Sequence, residues 1–314
     1  YETSRGIYFD ISKLDKYPVL SNRNLDDQIA GARVEVDPEK RNPHDFAVWI
    51  KAPENHLMKW DSPWGPSYPG WHIECSVMSQ KYLGEVFDIH TGGIDLIPTH
   101  HENEIAQSKG MCGKIPANYW MHGEFLLING GKMSKSLGNV YLLQDIVDRG
   151  YDPLVYKLFC YSIQYRKKLN FTWEGMDSAK IALDRLREAY QKHLTGTEDV
   201  AEELISKYEK DFNEAINDDL NMPVAMSVVW EIARNAKKSI KFADLLLKFD
   251  RVLGIKIDEH KEEEIPDDIK ELLTKRAEAR KNKDWAESDK IRDIIKEKGY
   301  IVKDSKEGQT VEKI

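Results

Sequence analysis

The pattern of apolar and polar positions changes character several times along the chain. Residues 1–67 are irregular, with charged clusters and prolines, and within them only residues 32–36 and 46–50 alternate as β-strands do. Residues 72–81 have helical spacing, which predicts a buried face that carries Ile73, Cys75, Met78 and Tyr82. Residues 86–89 are then a short apolar strand that leads into a glycine-rich loop. The middle of the chain therefore predicts alternating helices and strands.

A second helix is predicted directly after that loop. Thr99 and Glu102 have the spacing of a capping box, which places the start of the helix there, and Gly110 is the expected stop. Further along, residues 142–147 and 154–163 have helical spacing, and Asp152-Pro153 begins the second of these segments. These segments complete an α/β region.

Residues 173–257 are helical throughout and carry four apolar stripes. The stripes are Leu183, Leu186 and Tyr190; Leu204, Tyr208, Phe212 and Ala215; Val228, Ile232 and Ala236; and Leu246, Phe249 and Leu253. Such stripes are typical of a helical bundle core. An acidic linker follows over residues 258–271, then helices at 269–280 and 285–298, and a hairpin at 300–314. Basic residues cluster where the last two helices meet: Lys275, Arg276, Arg280, Lys281 and Lys283.

Composition limits the class of protein. The 314 residues are 41% hydrophobic and 32% charged, and no apolar run is long enough to span a membrane. No signal peptide is visible, and three cysteines give no disulfide framework, so we expect a cytoplasmic protein. The net charge of −8 argues against general nucleic-acid binding, although the basic segment 162–170 leaves room for a local RNA contact.

One cysteine, one histidine and one glutamate form a candidate metal site. His100 and Glu104 are four residues apart and share one helical face, whereas Cys75 lies on a different element. Thiolate, imidazole and carboxylate together suit zinc better than calcium or magnesium. The pattern leaves an alternative open, in which Cys75 is a core residue and the other two form a surface pair.

A lysine loop follows at residues 130–139, GGKMSKSLGN. It comes after the apolar run 125–128 and an Asn129-Gly130 pair that predicts a tight turn. Its polar side chains are suited to a polyphosphate: Lys132, Ser134, Lys135 and Ser136. It is not a Walker loop, because Leu126 and Met133 occupy positions that such a loop gives to glycine and to serine or threonine. A solvated basic hairpin is the alternative.

Three motifs in this order resemble the cysteinyl-tRNA synthetases of class I: GWHIEC at 70–75, HHENE at 100–104 and KMSKS at 132–136. The resemblance extends over essentially the whole chain. It implies an α/β fold, part of a Rossmann-like catalytic domain, followed by an α-helical bundle and a small α+β module. The implied divisions are the end of a connective insertion, the second Rossmann half, a stem-contact region, a tRNA-binding bundle and an anticodon-binding module, at residues 1–68, 69–139, 140–172, 173–257 and 258–314.

The resemblance also implies the chemistry. ATP would activate L-cysteine as an adenylate, and the cysteinyl group would pass to tRNA(Cys). Zinc on Cys75, His100 and Glu104 would choose cysteine over serine, a near-isostere that a plain pocket separates by only about 1–3 kcal/mol. The implied substrate-binding residues are Trp71, His90 and Asp95, with a core role for Trp71 as the alternative. Lys132 and Lys135 would be catalytic, and with Ser134 and Ser136 would bind ATP, which arrives with magnesium. The protein is expected to act as a monomer.

Two family features are absent from these residues: the HIGH motif and a fourth, cysteine, zinc ligand. Cys112 and Cys160 lie in the wrong segments to replace that ligand. We therefore expect this chain alone to lack full activity that its parent protein has. Two alternatives remain open. One is a related cysteine ligase of mycothiol biosynthesis, which should lack the anticodon module. The other is a non-catalytic fragment that binds zinc or tRNA.

Overall fold

The computed structural model describes residues 1–22, 24–25, 37–259, 266–305 and 308–313. They form two compact units, Tyr1–Asp258 and Glu259–Ile314. The strand predicted at residues 32–36 lies outside the described residues. Within the described residues, no helix is long and apolar enough to cross a membrane.

The first unit begins with a small antiparallel sheet. Its strands, in spatial order, are β1 (Gly6–Phe9), β2 (Phe46–Lys51) and β3 (Ser67–Pro69). The strand predicted at 46–50 is thus confirmed. Phe46 stacks on Phe9 with ring centroids 5.0 Å apart, and both pack with Ile11 and Ala106 in a small core. Because Ala106 lies on a later helix, this core joins the sheet to the element that carries the HHENE segment.

An α/β segment with a parallel strand pair comes next. Its elements are α1 (Trp71–Leu83), β4 (Phe87–Gly93), α2 (Glu102–Cys112) and β5 (Ala117–Gly123), and the two strands pair in parallel. The predicted helix–strand–helix order is confirmed. The predicted burial of α1 is wrong, since none of its residues is buried and Met78 and Tyr82 are more than half exposed. Its local apolar spacing shows which side chains share a face but not what covers that face.

Helix α2 begins at Glu102, within the predicted segment, but its predicted stop and its predicted capping box are wrong. The helix does not stop at Gly110 but continues to Cys112, and Gly113, at φ 75°, caps it in the left-handed region that favours glycine. At the start, Glu102 makes no capping box with Thr99. Its buried carboxylate instead accepts hydrogen bonds from the backbone N–H groups of residues 19–21: Val19 at 2.7 Å, Leu20 at 2.6 Å, and Ser21. A contact more than eighty residues distant in sequence thus replaces the local one.

The lysine loop contains the second strand of a hairpin and continues beyond it. Strand β6 (Leu126–Ile128) pairs antiparallel with β7 (Gly131–Lys132) and parallel with β8 (Leu169–Phe171). Asn129 and Gly130 both have positive φ, 49° and 78°, which confirms the predicted tight turn. Helices α3 (Leu143–Asp148) and α4 (Pro153–Cys160) follow, and Asp152 caps α4 by accepting from the Leu154 N–H, as the Asp-Pro pair predicts.

Four longer helices complete the first unit: α5 (Trp173–Leu194), α6 (Glu202–Asn217), α7 (Met222–Ala233) and α8 (Ile240–Leu253). The four predicted stripes meet in one core, which continues to Ile128 of the hairpin and Phe171 of β8. The prediction is wrong for Ala236, which is exposed and lies beyond the end of α7. The bundle and the lysine loop therefore share a core.

The second unit is a helix pair with a hairpin: α9 (Asp267–Lys281), α10 (Trp285–Glu297), β9 (Tyr300–Ser305) and β10 (Gly308–Lys313). The predicted helices and antiparallel hairpin are confirmed. Arg276 is buried at the centre, where its guanidinium donates to Asp304 at 2.8 and 3.0 Å and to Gln309 at 2.7 Å. This arginine of the basic cluster is therefore a structural residue.

Candidate active site

Three elements bring the predicted metal ligands together. Cys75 comes from α1, His100 from a π-helical turn at Ile97–His101, and Glu104 from the first turn of α2. One ligand atom from each lies within 4.8 Å of the other two. His100 and Glu104 are almost fully buried, and Cys75 is half-buried. The fold therefore converges the three side chains that the sequence could only place on separate elements.

The two oxygens of Glu104 have different surroundings. Oε2 lies 2.9 Å from His90 Nε2, whereas Oε1 lies 3.0 Å from His100 Nε2 yet makes no hydrogen bond to any described residue. A buried carboxylate oxygen without a hydrogen bond is costly, because it has lost its water and gained no donor. Such an atom beside an imidazole nitrogen and a thiol is what a metal site leaves when its ion is removed.

Burial lowers the pKa of His72, His100 and His101 and so favours their neutral form. Burial and the neighbouring imidazoles of His90, His122 and His100 lower the pKa of His101 to about 3, and burial with His100 lowers the pKa of His72 to about 4. Burial also lowers the pKa of His100. Neutral imidazole is the form that binds metals, so burial prepares these side chains for ligation.

For Cys75, in contrast to the histidines, burial disfavours the form that binds a metal. Burial raises its pKa, and the carboxylates of Glu104 and Glu74 raise it further. The protein by itself therefore favours the protonated thiol. A thiolate at this position needs a nearby positive charge, which a bound cation would provide.

A second triad overlaps the first. One ligand atom each from His90, His101 and Glu104 also lie within 4.8 Å of one another. Gly92 is needed for this arrangement, because a Cβ there would stand 2.7 Å from His101 Cε1. Glu104 belongs to both triads, so it joins the cysteine-containing group to the other histidines.

Two of the three predicted substrate residues, His90 and Trp71, contact the metal-ligand cluster, and the third, Asp95, does not. His90 hydrogen-bonds Glu104, and Trp71 packs on His100 with ring centroids 4.3 Å apart. The core alternative for Trp71 is wrong, because 60% of its surface is exposed. Asp95 is also exposed, in the short 3-10 turn after β4, and is not part of the buried cluster.

Three residues of the cluster were not singled out from the sequence: His72, His122 and Trp120. His72 Nδ1 lies 2.9 Å from His100 Nδ1, and His101 Nδ1 lies 2.8 Å from His122 Nε2. Strand register explains the last contact, since His122 pairs with Gly92 where parallel β4 and β5 both end. Histidines near the carboxyl ends of two successive strands were the available signal.

The lysine loop presents its charged groups to solvent. Lys132, Lys135 and Ser136 are exposed, and Ser134 is half-buried. Asn139 closes the base of the loop: its Oδ1 accepts from Ser134 N–H at 2.8 Å, and its Nδ2 donates to Lys132 O at 3.0 Å. Lys132 thus lies at the end of β7, and the other three residues lie at the 3-10 turn that follows, Lys135–Leu137 with its N-cap Ser134.

The carboxylate of Asp219 holds three side chains of the basic segment after α4. Asp219, at φ 51° in the turn between α6 and α7, accepts from Arg166 Nε at 2.6 Å and Nη2 at 3.1 Å. It also accepts from Tyr165 Oη at 2.6 Å and Gln164 Nε2 at 3.2 Å. Arg166 is therefore neutralised within the protein, and the exposed Lys167 and Lys168 carry the basic character of the segment.

Comparison with known proteins places these features in a family. Residues 1–181 match the family model described as the tRNA synthetases class I (C) catalytic domain. Residues 211–258 match a DALR domain, and residues 262–311 match a cysteinyl-tRNA ligase anticodon binding domain. Together these models account for most of the chain.

Individual relatives agree with the family models. The chain is 43% identical to cysteine–tRNA ligase 1 of Burkholderia lata, over 98% of this chain and 66% of the relative. It is 42% identical to the cysteine–tRNA ligase of Treponema denticola, over 97% and 68%. The chain thus spans about two thirds of the length of these curated relatives. A ternary complex of Agrobacterium radiobacter K84 agnB2 LeuRS, tRNA and LeuAMS matches 63% of this chain and 32% of that one, at 15% identity and TM-score 0.48.

Proposed function

Since the chain belongs to the cysteine–tRNA ligases of class I, we propose that it carries the zinc-binding, phosphate-binding and tRNA-binding parts of such an enzyme. The reaction is the ATP-dependent ligation of L-cysteine to tRNA(Cys) through a cysteinyl-adenylate. The observation that supports this proposal most strongly is the convergence of Cys75, His100 and Glu104. The Oε1 atom of Glu104, buried without a hydrogen bond among the described residues, adds to it.

The donor set fits zinc. Sulfur, imidazole and carboxylate are the ligand types that zinc accepts, and three protein ligands leave a position for substrate. Bound there, zinc would supply a thiophilic Lewis acid that favours a substrate sulfur over the oxygen of serine. The second triad, two imidazoles and a carboxylate, is also a donor set that zinc accepts, but the family resemblance favours the triad that contains Cys75. His90 then has another role, which is to hold Oε2 of Glu104 and fix the orientation of the carboxylate.

The amino-acid pocket would lie beside this triad. Trp71 offers an exposed indole against His100, and His90 stands on the far side of Glu104. These side chains border the point to which the ligand atoms converge, so they would enclose the substrate and exclude water. Asp95, exposed in the 3-10 turn that follows β4, would reach the ammonium group of the amino acid.

The lysine loop would bind ATP. Lys132 and Lys135 would meet the negative charge that builds on the leaving pyrophosphate, and the hydroxyl groups of Ser134 and Ser136 would bind phosphate oxygens. Magnesium would accompany the nucleotide, since it binds through phosphates more than through dedicated protein cages. The exposure of both lysines allows this contact without disturbing the core.

Transfer RNA would be the acceptor. The match of residues 262–311 to an anticodon-binding model supports tRNA over the amino sugar of a mycothiol ligase, and it also supports the assignment of residues 258–314 to an anticodon module. In that module Arg280 lies 5.8 Å from the Trp285 ring centroid, and 57% of the Trp285 surface is exposed. The exposed Lys167 and Lys168 would contact the stem.

The cysteines provide a matched test in the full-length protein. Cys75→Ser should lose bound zinc and lower kcat/KM for cysteine in cysteine-dependent ATP–pyrophosphate exchange, on the order of 100-fold or more. Cys112→Ser, at the end of α2, should keep both. Zinc content is measured by mass spectrometry, and the exchange reaction is followed with labelled pyrophosphate. Wild-type zinc content and wild-type selection of cysteine over serine in Cys75→Ser would refute the proposal.

A further inference from the structure

An apolar cleft of about 110 Å³ lies beneath the lysine loop. Residues from the hairpin, from α3 and α4 and from β8 line it: Leu126, Ile128, Met133, Tyr141, Leu142, Leu143, Ile146, Tyr156 and Phe171. Met133 is the residue of the KMSKS segment among them. Its side chain is half-buried and packs on the core that extends into the helical bundle.

Met133 thus differs from its neighbours in the loop. Lys132, on one side, and Lys135, two residues further on, are exposed. The last residue of the loop, Asn139, closes it by hydrogen bonds to the backbone of Ser134 and Lys132, and the preceding Gly138 has a φ of 62°. Besides the pairing of β7 with β6, the loop is therefore held by a polar contact at Asn139 and an apolar contact at Met133, while the side chains of Lys132 and Lys135 are exposed.

The cleft leaves open space beside the side chain of Met133. About 110 Å³ is accessible there, more than a single water molecule occupies, and the lining side chains are mainly apolar. Methionine is unbranched and adapts its shape to irregular space. Its side chain can shift within the cleft without leaving apolar surroundings.

We propose that Met133 is a positioning residue for the lysine loop. Its side chain stays in the cleft and slides along it while Lys132 and Lys135 advance toward the phosphates of ATP. The anchor fixes the path of the loop, and the spare volume permits the movement. This inference rests on the proposed role of the loop in ATP binding.

The test compares variants of the full-length protein. Met133→Ala removes the anchor, and Met133→Leu keeps an apolar side chain of similar volume. Leu137→Ala is the control. Its side chain belongs to the same loop, but it is 67% exposed and does not line the cleft. Leu142→Phe adds volume from a largely exposed position on the cleft wall. Lys135→Ala tests the phosphate contact itself.

The first readout is amide hydrogen exchange of residues 132–139 without ATP. Met133→Ala should exchange about tenfold faster, while Met133→Leu and Leu137→Ala stay within about threefold of wild type. The second readout is ATP–pyrophosphate exchange. Met133→Ala should lower kcat about tenfold with little change in the KM for ATP, and Met133→Leu should restore it. Leu142→Phe should lower kcat without loss of amide protection.

Two results would overturn the inference. One is a Met133→Ala variant that matches Leu137→Ala in both readouts. The other is wild-type kcat in Leu142→Phe, which would show that the spare volume is unused. Unchanged ATP–pyrophosphate exchange in Lys135→Ala would count against the proposed function instead. Faster amide exchange in Met133→Ala would still support the anchor in that case, because it is measured without nucleotide.

Discussion

Glu104 Oε1 lies 3.0 Å from His100 Nε2, one helical turn away, and no described residue gives it a hydrogen bond. The helix fixes this spacing, since residues four apart lie on one face. The third partner, Cys75, comes from α1, which adds a sulfur to the same point. This pair therefore gives the most direct test of metal binding.

Glu104→Gln should weaken zinc binding by roughly 100-fold, because the amide is a poorer ligand than the carboxylate. Zinc affinity is measured by competition with a chromogenic chelator. Glu74→Gln is the matched control, since Glu74 is exposed and adjacent to Cys75 in sequence. Equal affinities in the two variants would remove Glu104 from the ligand set.

Glu102 has a structural role that can be separated from zinc binding. Glu102→Ala would leave the backbone N–H groups of Val19, Leu20 and Ser21 without their acceptor, and it should lower the free energy of unfolding by about 3 kcal/mol. Urea unfolding measures the loss, with Glu74→Ala as the control. An unchanged unfolding midpoint would show that residues 19–21 do not depend on this carboxylate.

Gly92 permits the close approach of His101. The added Cβ of Gly92→Ala would meet Cε1 of His101 at 2.7 Å and Leu96 Cδ1 at 2.8 Å, so the imidazole must move and stability should fall by about 1–3 kcal/mol. Gly123→Ala, at the end of the neighbouring strand, has nothing within 4 Å of its added Cβ. Histidine NMR resonances should shift in the first variant and not in the second.

Asp219 predicts a component of acid sensitivity. Its hydrogen bonds from Arg166, Tyr165 and Gln164 lower its pKa to about 2. A carboxyl whose pKa is lower in the folded state stabilises the fold above its unfolded pKa of about 4 and loses that contribution as pH falls toward 2.

Asp219→Asn should therefore unfold more easily than wild type at pH 5 to 7, and the difference should shrink between about pH 4 and 2. Thermal unfolding across this pH range measures it. Asp218→Asn, the exposed neighbour, controls for a changed surface charge. A constant difference between Asp219→Asn and wild type down to pH 2 would contradict the assignment.

Much of the secondary structure followed from local pattern. The stripe of Leu183, Leu186 and Tyr190 is buried as predicted, and Asn129-Gly130 forms the predicted turn. Both depend on side-chain periodicity or on backbone φ, which nearby residues determine. The predicted capping box of α2 was wrong because Glu102 accepts hydrogen bonds from residues 19–21, partners that no local window includes.

The sequence by itself determined the chemical types at the site, namely one thiol, several imidazoles, one carboxylate and a lysine loop, and also the family that they indicate. Only the tertiary structure decided which side chains converge. It brought His122 to His101 through strand register, left Oε1 of Glu104 beside Cys75 without a hydrogen bond from any described residue, and placed Met133 over a cleft. The physical reason is range: helix and turn signals act over a few residues, whereas convergence needs contacts between distant segments, which only packing can provide.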